Sequence, residues 1–215
     1  MRTGITIGLL TLGVAAVAGA VPTSINDIPT ADVVRFGQVV LQGYTTIGSD
    51  PAISAGVGVN GGVLPGLELG VDDRIAGKPA GTPVGQIKFR FLRNDKRVSA
   101  AVGAYNLGDS KHNGAPGFYI AAKRRLIPHL RGHLGFRNRG SQNALYLGAD
   151  GDILRGWDWR ADVAQANHMH DATISLGVAG PIWKGLRAEV WATIPTQADA
   201  KPSGSLRLGW AFGRK

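Results

Sequence analysis

Few side chains in this sequence stand at spacings that could carry chemistry. His168 and His170 flank Met169, with Asp171 next. At i and i+2 of an extended segment both imidazoles would share a face and could hold a transition metal. No further ligand falls nearby, so an exposed polar loop is the plainer account. Asp72-Asp73 and Asp150-Gly151-Asp152 could offer oxygens to calcium, yet neither continues into a full calcium-binding loop, and Asp-Gly-Asp reads as a turn. No serine stands in a Gly-x-Ser-x-Gly elbow, and Ser110 with His112 is a bare proximity on one loop. The run Gly56-Val57-Gly58-Val59-Asn60-Gly61 echoes a nucleotide fingerprint but lies within strands with no helix after it. There is no cysteine, which excludes disulfides, zinc-thiolate sites and cysteine nucleophiles. The expectation is a protein with no catalytic residues and no cofactor, His168 and His170 being the weak metal candidates.

A charged row is the stronger lead. Lys88, Arg90, Lys123, Arg131, His133, Arg137, Arg160, Arg187 and Arg207 fall on the polar side of alternating segments, together with Glu68, Asp72, Asp158, Asp162 and Glu189. If that side lines water, the cations favour anions, as Arg and Lys rings do in anion pores. If the acids neutralise them, the same residues form a salt-bridged interior that stiffens a closed barrel. Lys plus Arg is 24 against 15 for Asp plus Glu, a net charge of +9. The longest basic run is only Lys123-Arg124-Arg125, so the basicity describes one face of many strands and not an arm for nucleic acid.

The elements that must carry this row alternate with a period of two. Ile87, Phe89 and Phe91 oppose Gln86, Lys88 and Arg90; Leu134 and Phe136 oppose His133 and Arg137; Leu186, Ala188 and Val190 oppose Arg187 and Glu189; Leu206, Leu208 and Trp210 oppose Ser205, Arg207 and Gly209. Successive strand side chains point to opposite faces, so each segment has one apolar and one polar or small face. The 32 glycines are spread among apolar residues, as bends and close approaches in a curved sheet require. Strands are expected at 37–45, 52–61, 67–75, 84–92, 97–107, 117–126, 130–138, 143–153, 157–166, 171–181, 186–194 and 204–212.

Short connections such as Leu64-Pro65-Gly66-Leu67, Leu154-Arg155-Gly156-Trp157 and Trp183-Lys184-Gly185-Leu186 alternate with longer polar stretches, Asn138 to Gln142 among them. Transmembrane barrels alternate in this way, with short turns at one rim and longer loops at the other. The fold expected is therefore all-β, an antiparallel up-and-down transmembrane β-barrel of about 12 strands (10–12), each near the roughly 9–11 tilted residues that cross a bilayer. Arg2, the apolar stretch from Ile5 to Val17 and Ala18-Gly19-Ala20 describe a signal peptide over residues 1–20, as an exported chain needs. Residues 21–36 are then a lead-in and 37–215 the barrel domain. The polar face mixes charges with Ser99, Gly103, Ala121, Gly148, Ala164 and Ser175, small residues suited to a crowded interior. Trp157, Trp159, Trp183, Trp210 and Phe212 stand near strand ends beside the short turns, where an aromatic girdle meets the membrane interface.

The signal peptide, the hairpins and the last strand, Ser205-Leu206-Arg207-Leu208-Gly209-Trp210-Ala211-Phe212, resemble bacterial outer-membrane β-barrel proteins of the porin-like kind. The segment from Pro29 to Gln38 resembles the lead-in of some uncharacterised exported barrels. The resemblance implies outer-membrane residence in a lipid bilayer. It also implies an aromatic-ended last strand read by the insertion machinery, although here Phe212 is followed by Gly213-Arg214-Lys215. The function expected is a narrow, anion-preferring pore for small anionic solutes, or a structural envelope protein. The alternatives are a barrel hydrolase using Ser110, His112 and His168, and a soluble exported β-barrel or sandwich that binds a ligand.

Overall fold

The computed structural model describes residues 24–48, 53–76, 82–93, 98–108, 110–165, 172–197 and 200–213. The expected signal peptide, residues 1–20, and the pair His168 and His170 lie outside the described residues.

Alternation turns into strands wherever it was expected. A two-stranded piece, β1 (Ser24–Ile25) and β2 (Ile28–Pro29), precedes twelve longer strands. These are β3 (Gln38–Ile47), β4 (Ile53–Leu64), β5 (Leu67–Ala76), β6 (Val84–Leu92), β7 (Val98–Leu107) and β8 (Gly117–Ile127). The rest are β9 (Leu130–Arg139), β10 (Gln142–Leu154), β11 (Trp157–Gln165), β12 (Ala172–Trp183), β13 (Leu186–Pro195) and β14 (Ser203–Gly213). One helical turn, α1 (Ser110–Asn113), lies between β7 and β8.

Each long strand pairs antiparallel with its sequence neighbours, and β14 pairs with β3 from Gly204↔Ile47 to Gly213↔Gln38. That seam closes the sheet into a barrel with no free edge, so every strand's backbone ladder is satisfied within the wall. The fold is an all-β closed barrel.

The side that meets hydrocarbon is decided by exposure. Phe89 is 47% exposed, Leu134 54% and Val190 52%, whereas Lys88 is 5% and Glu189 3%. A water-soluble barrel would bury the aliphatic row. Here it coats the outside, which only a lipid solvent favours. Trp183, Trp210 and Phe212 are exposed at the short-turn rim, with Phe91 and Leu92, as an interfacial girdle would be.

Two local expectations change. Asn138 to Gln142 is a tight hairpin turning at Gly140, φ 60°, not a longer loop. Asp150-Gly151-Asp152 lies inside β10 instead of forming a turn, because Leu145 and Leu147 keep the strand alternation running through it.

Candidate functional site

The inward rows hold the chemistry, and they do not enclose an empty tube. Residues 24–36 lie inside the barrel. Ile28 is fully buried and packs in one cluster with Ile25, Tyr119, Ala121, Tyr146 and Ala164. The segment is fastened along its length. At the bend between β1 and β2, the Asp27 carboxylate accepts hydrogen bonds from Ser175 Oγ (2.8 Å) and Thr193 Oγ1 (2.7 Å). Arg207 donates to Ser24 Oγ (2.8 Å) and to the Asn26 carbonyl (3.3 Å). Lower down, Lys123 ion-pairs with Asp32, and Lys88 donates to the Asp32 carbonyl at 3.2 Å. The Val34 N–H then donates to Glu68 Oε2 at 2.8 Å. The chain leaves against β4, where Gly37 N–H donates to the Gly62 carbonyl at 2.8 Å. A side chain at Gly62 would run into the Arg35 and Val34 carbonyls, so this crossing needs glycine.

The charged residues named from the sequence fall into groups. Near the short-turn rim, Arg131 ion-pairs with Asp150 and lies 3.3 Å from Asp158, while Arg187 pairs with Asp158 from the other side. His133 meets Asp150 at 2.6 Å. One level up, Glu189 takes Arg160 at 3.0 Å and Arg207 at 3.2 Å. Across the barrel, Asp72 accepts from Gln42 (2.6 Å) and Gln86 (3.3 Å), and Gln86 also donates to Asn60 at 2.5 Å. Asp162 is buried behind the Asn26–Asp27 bend, on the strand that pairs with Ser175. Arg90 and Arg137 are half-buried on the inward rows of β6 and β9.

Between the segment and the wall lies a cavity of about 410 Å³. Its lining includes Tyr44, Tyr105 and Tyr119, the basic groups Lys88, Arg137, Arg139 and Arg207, and Asp27 and Asn26 from the segment. All four tyrosines of the chain point inward, and each lies directly across from a glycine: Tyr44↔Gly56, Tyr105↔Gly117, Tyr119↔Gly103 and Tyr146↔Gly135. A Cβ at any of these glycines would overlap the facing ring. The glycines give the rings a floor, which accounts for part of the chain's unusual glycine content.

Sequence reasoning missed the inserted segment, the acids Asp150 and Asp152, and the tyrosines. The tyrosines carried a usable signal, since Tyr119 is in phase with Ala121 and Lys123. Ser110 is exposed in α1, and the His112 side chain lies outside the described residues. Among the described residues no cluster of three or more His, Cys, Asp or Glu could hold a metal ion.

No protein-family model matches the chain and no curated protein does. Among solved structures it is similar to a KdgM porin, with TM-score 0.64 and 11% identity over 80% of this chain and 99% of that one. The fold is that of an outer-membrane porin. A KdgM porin in complex with disordered oligogalacturonate matches at TM-score 0.63 and 11% identity, over 81% and 99% of the two chains. The outer membrane protein Omp33 of Acinetobacter baumannii matches at TM-score 0.54 and 10% identity, over 82% and 98%. With its apolar exterior, this porin-like barrel is a bilayer-spanning protein of the bacterial outer membrane.

Proposed function

We propose that the barrel is a narrow, non-enzymatic pore that favours small anionic solutes. The observation that carries this reading is the cavity beside the inserted segment, where the cations Arg137, Arg139, Arg207 and Lys88 outnumber the acids Asp27, Glu68 and Asp72. Fixed cations in a confined, low-dielectric passage raise the local concentration of anions and lower their entry barrier. Twelve strands suit a narrow passage, since about eight are filled by side chains and about sixteen leave a wide channel. The KdgM porin of similar fold, solved with oligogalacturonate, supports an anionic solute class. The last strand, ending in Trp210 and Phe212, would serve as the recognition signal for the insertion machinery.

Planar-bilayer recording tests the reading. Discrete conductance with a reversal potential on the anion side is expected. Silence from correctly folded protein, or a cation preference, would overturn it. The ladder of ion pairs from Asp158 through Arg131 and Arg187, with Glu189 holding Arg160 and Arg207, favours a second reading, a structural envelope barrel. Silence in the recording is the result it expects.

A further inference from the structure

We infer that residues 24–36 are a resident stopper that sets the aperture of the lumen, and that Asp27 at its bend tempers the anion preference of the wall. This rests on the pore reading above and adds to the cavity an aperture set by the segment and a third carboxylate beside Glu68 and Asp72 of the wall.

Three observations converge. First, the segment occupies the barrel's cross-section: Ile25 and Ile28 are buried among inward-facing Tyr119, Tyr146 and Ala164, so passage is confined to the cavity at its side. Second, its fastenings are mostly polar and reach several strands independently. The Asp27 carboxylate is held by β12 and β13, Asp32 by β6 and β8, and Val34 by β5. The segment's apolar residues Ile25, Ile28, Ala31 and Val34 are buried as well, so the polar fastenings add to apolar contact and fix where along the wall the segment sits. Third, the segment contributes charge to the passage. Asp27 is exposed and lines the cavity together with the cations Lys88, Arg137, Arg139 and Arg207 and the wall acids Glu68 and Asp72. A carboxylate opposite those cations lowers the positive potential that a permeating anion meets.

The wall without the segment would therefore be wider and more strongly cationic. Losing the Asp27 carboxylate removes the moderating charge together with the fastening to Ser175 and Thr193, so the charge role is read from the difference between two thiol adducts that share that loss.

The test records single channels from the exported chain in three forms: intact, lacking residues 24–36, and carrying D27C. The sequence has no native cysteine, so a thiol at 27 reacts alone. The deletion is expected to raise unit conductance about twofold or more and to move the reversal potential further toward the anion limit. D27C treated with an anionic methanethiosulfonate should return to the selectivity of the intact chain. A cationic one should raise the anion-to-cation permeability ratio about twofold or more, as a change of local charge in a narrow pore would.

If the deleted chain does not fold, the two thiol adducts decide. Equal selectivity with either adduct would overturn the charge role. In a folded deletion variant, conductance equal to that of the intact chain would overturn the stopper while leaving the pore reading intact. Silence from the intact chain overturns the pore reading, and the aperture role with it, whether or not the deletion conducts.

Discussion

Glu189 accepts two guanidinium groups inside the barrel, Arg160 and Arg207, and is itself 3% exposed. Removing one partner of such a cluster leaves charge behind that is hard to solvate, a loss of about 3–5 kcal/mol in dry protein and less where lumen water reaches. Glu189→Ala should therefore lower the urea midpoint of the folded barrel markedly, followed by loss of the heat-modifiable gel form. An unchanged midpoint would mean that water already solvates both arginines. Gly103→Val drives a branched side chain into the Tyr119 ring and should cost about 1–3 kcal/mol by the same measurement. Gly43 faces outward with nothing close to where a Cβ would stand, and Gly43→Ala should stay within about 0.5 kcal/mol. At this scale the sequence was half legible. Lys88, Glu189 and Arg207 announce their row through strict alternation with aliphatic neighbours. Asp150 did not, because Asp-Gly-Asp carries a local turn preference that the pairing of β10 with β9 and β11 overrides.

Five hairpins at one rim repeat a single device. In each, the strand entering the short turn shifts register just before it: Gly62/Leu64, Arg90/Leu92, Arg125/Ile127, Asp152/Leu154 and Pro181/Trp183. A bulge adds local twist and curls the sheet toward closure. The turn residues match: Gly66, Gly156 and Gly185 all have positive φ, as does Arg155. Gly185 has φ 77°, and a Cβ there would press on the Ala211 carbonyl of the neighbouring strand. Gly185→Ala is thus expected to cost about 1–3 kcal/mol and to slow the appearance of folded barrel in a detergent refolding assay. Refolding at the native rate would show that the rim tolerates the strain. Strand positions were readable because period-two alternation survives wherever one face meets lipid. The role of residues 24–36 was not, since contacts such as Thr193 to Asp27 join positions 166 apart, and no local pattern encodes them.

The whole molecule is an inverted protein, apolar outside and charged within. Leu134 lies well inside β9 and is 54% exposed. Leu134→Arg would place a cation in hydrocarbon at a cost of about 2–4 kcal/mol near the midplane, so the yield of outer-membrane-inserted protein should fall. Insertion at the native level would argue against the lipid-facing assignment. The interior charges act at range, so selectivity must depend on salt. The Debye length shrinks from about 30 Å at 0.01 M to about 3 Å at 1 M, and the anion preference should fade across that range. A reversal potential that stays constant would assign selectivity to aperture alone.

The seam between β14 and β3 has a consequence for assembly. It brings together positions such as Thr46 and Ser205, 159 residues apart, and contacts of that separation form late. Residues 24–36 are joined to β3 and rest against the inner surfaces of β5, β6, β8, β12 and β13. Zipping up the cylinder around a segment already laid in the open trough spares it any threading through a finished ring. Along the chain the segment precedes every strand of the cylinder that surrounds it, and β14, which completes the seam with β3, follows the other described strands.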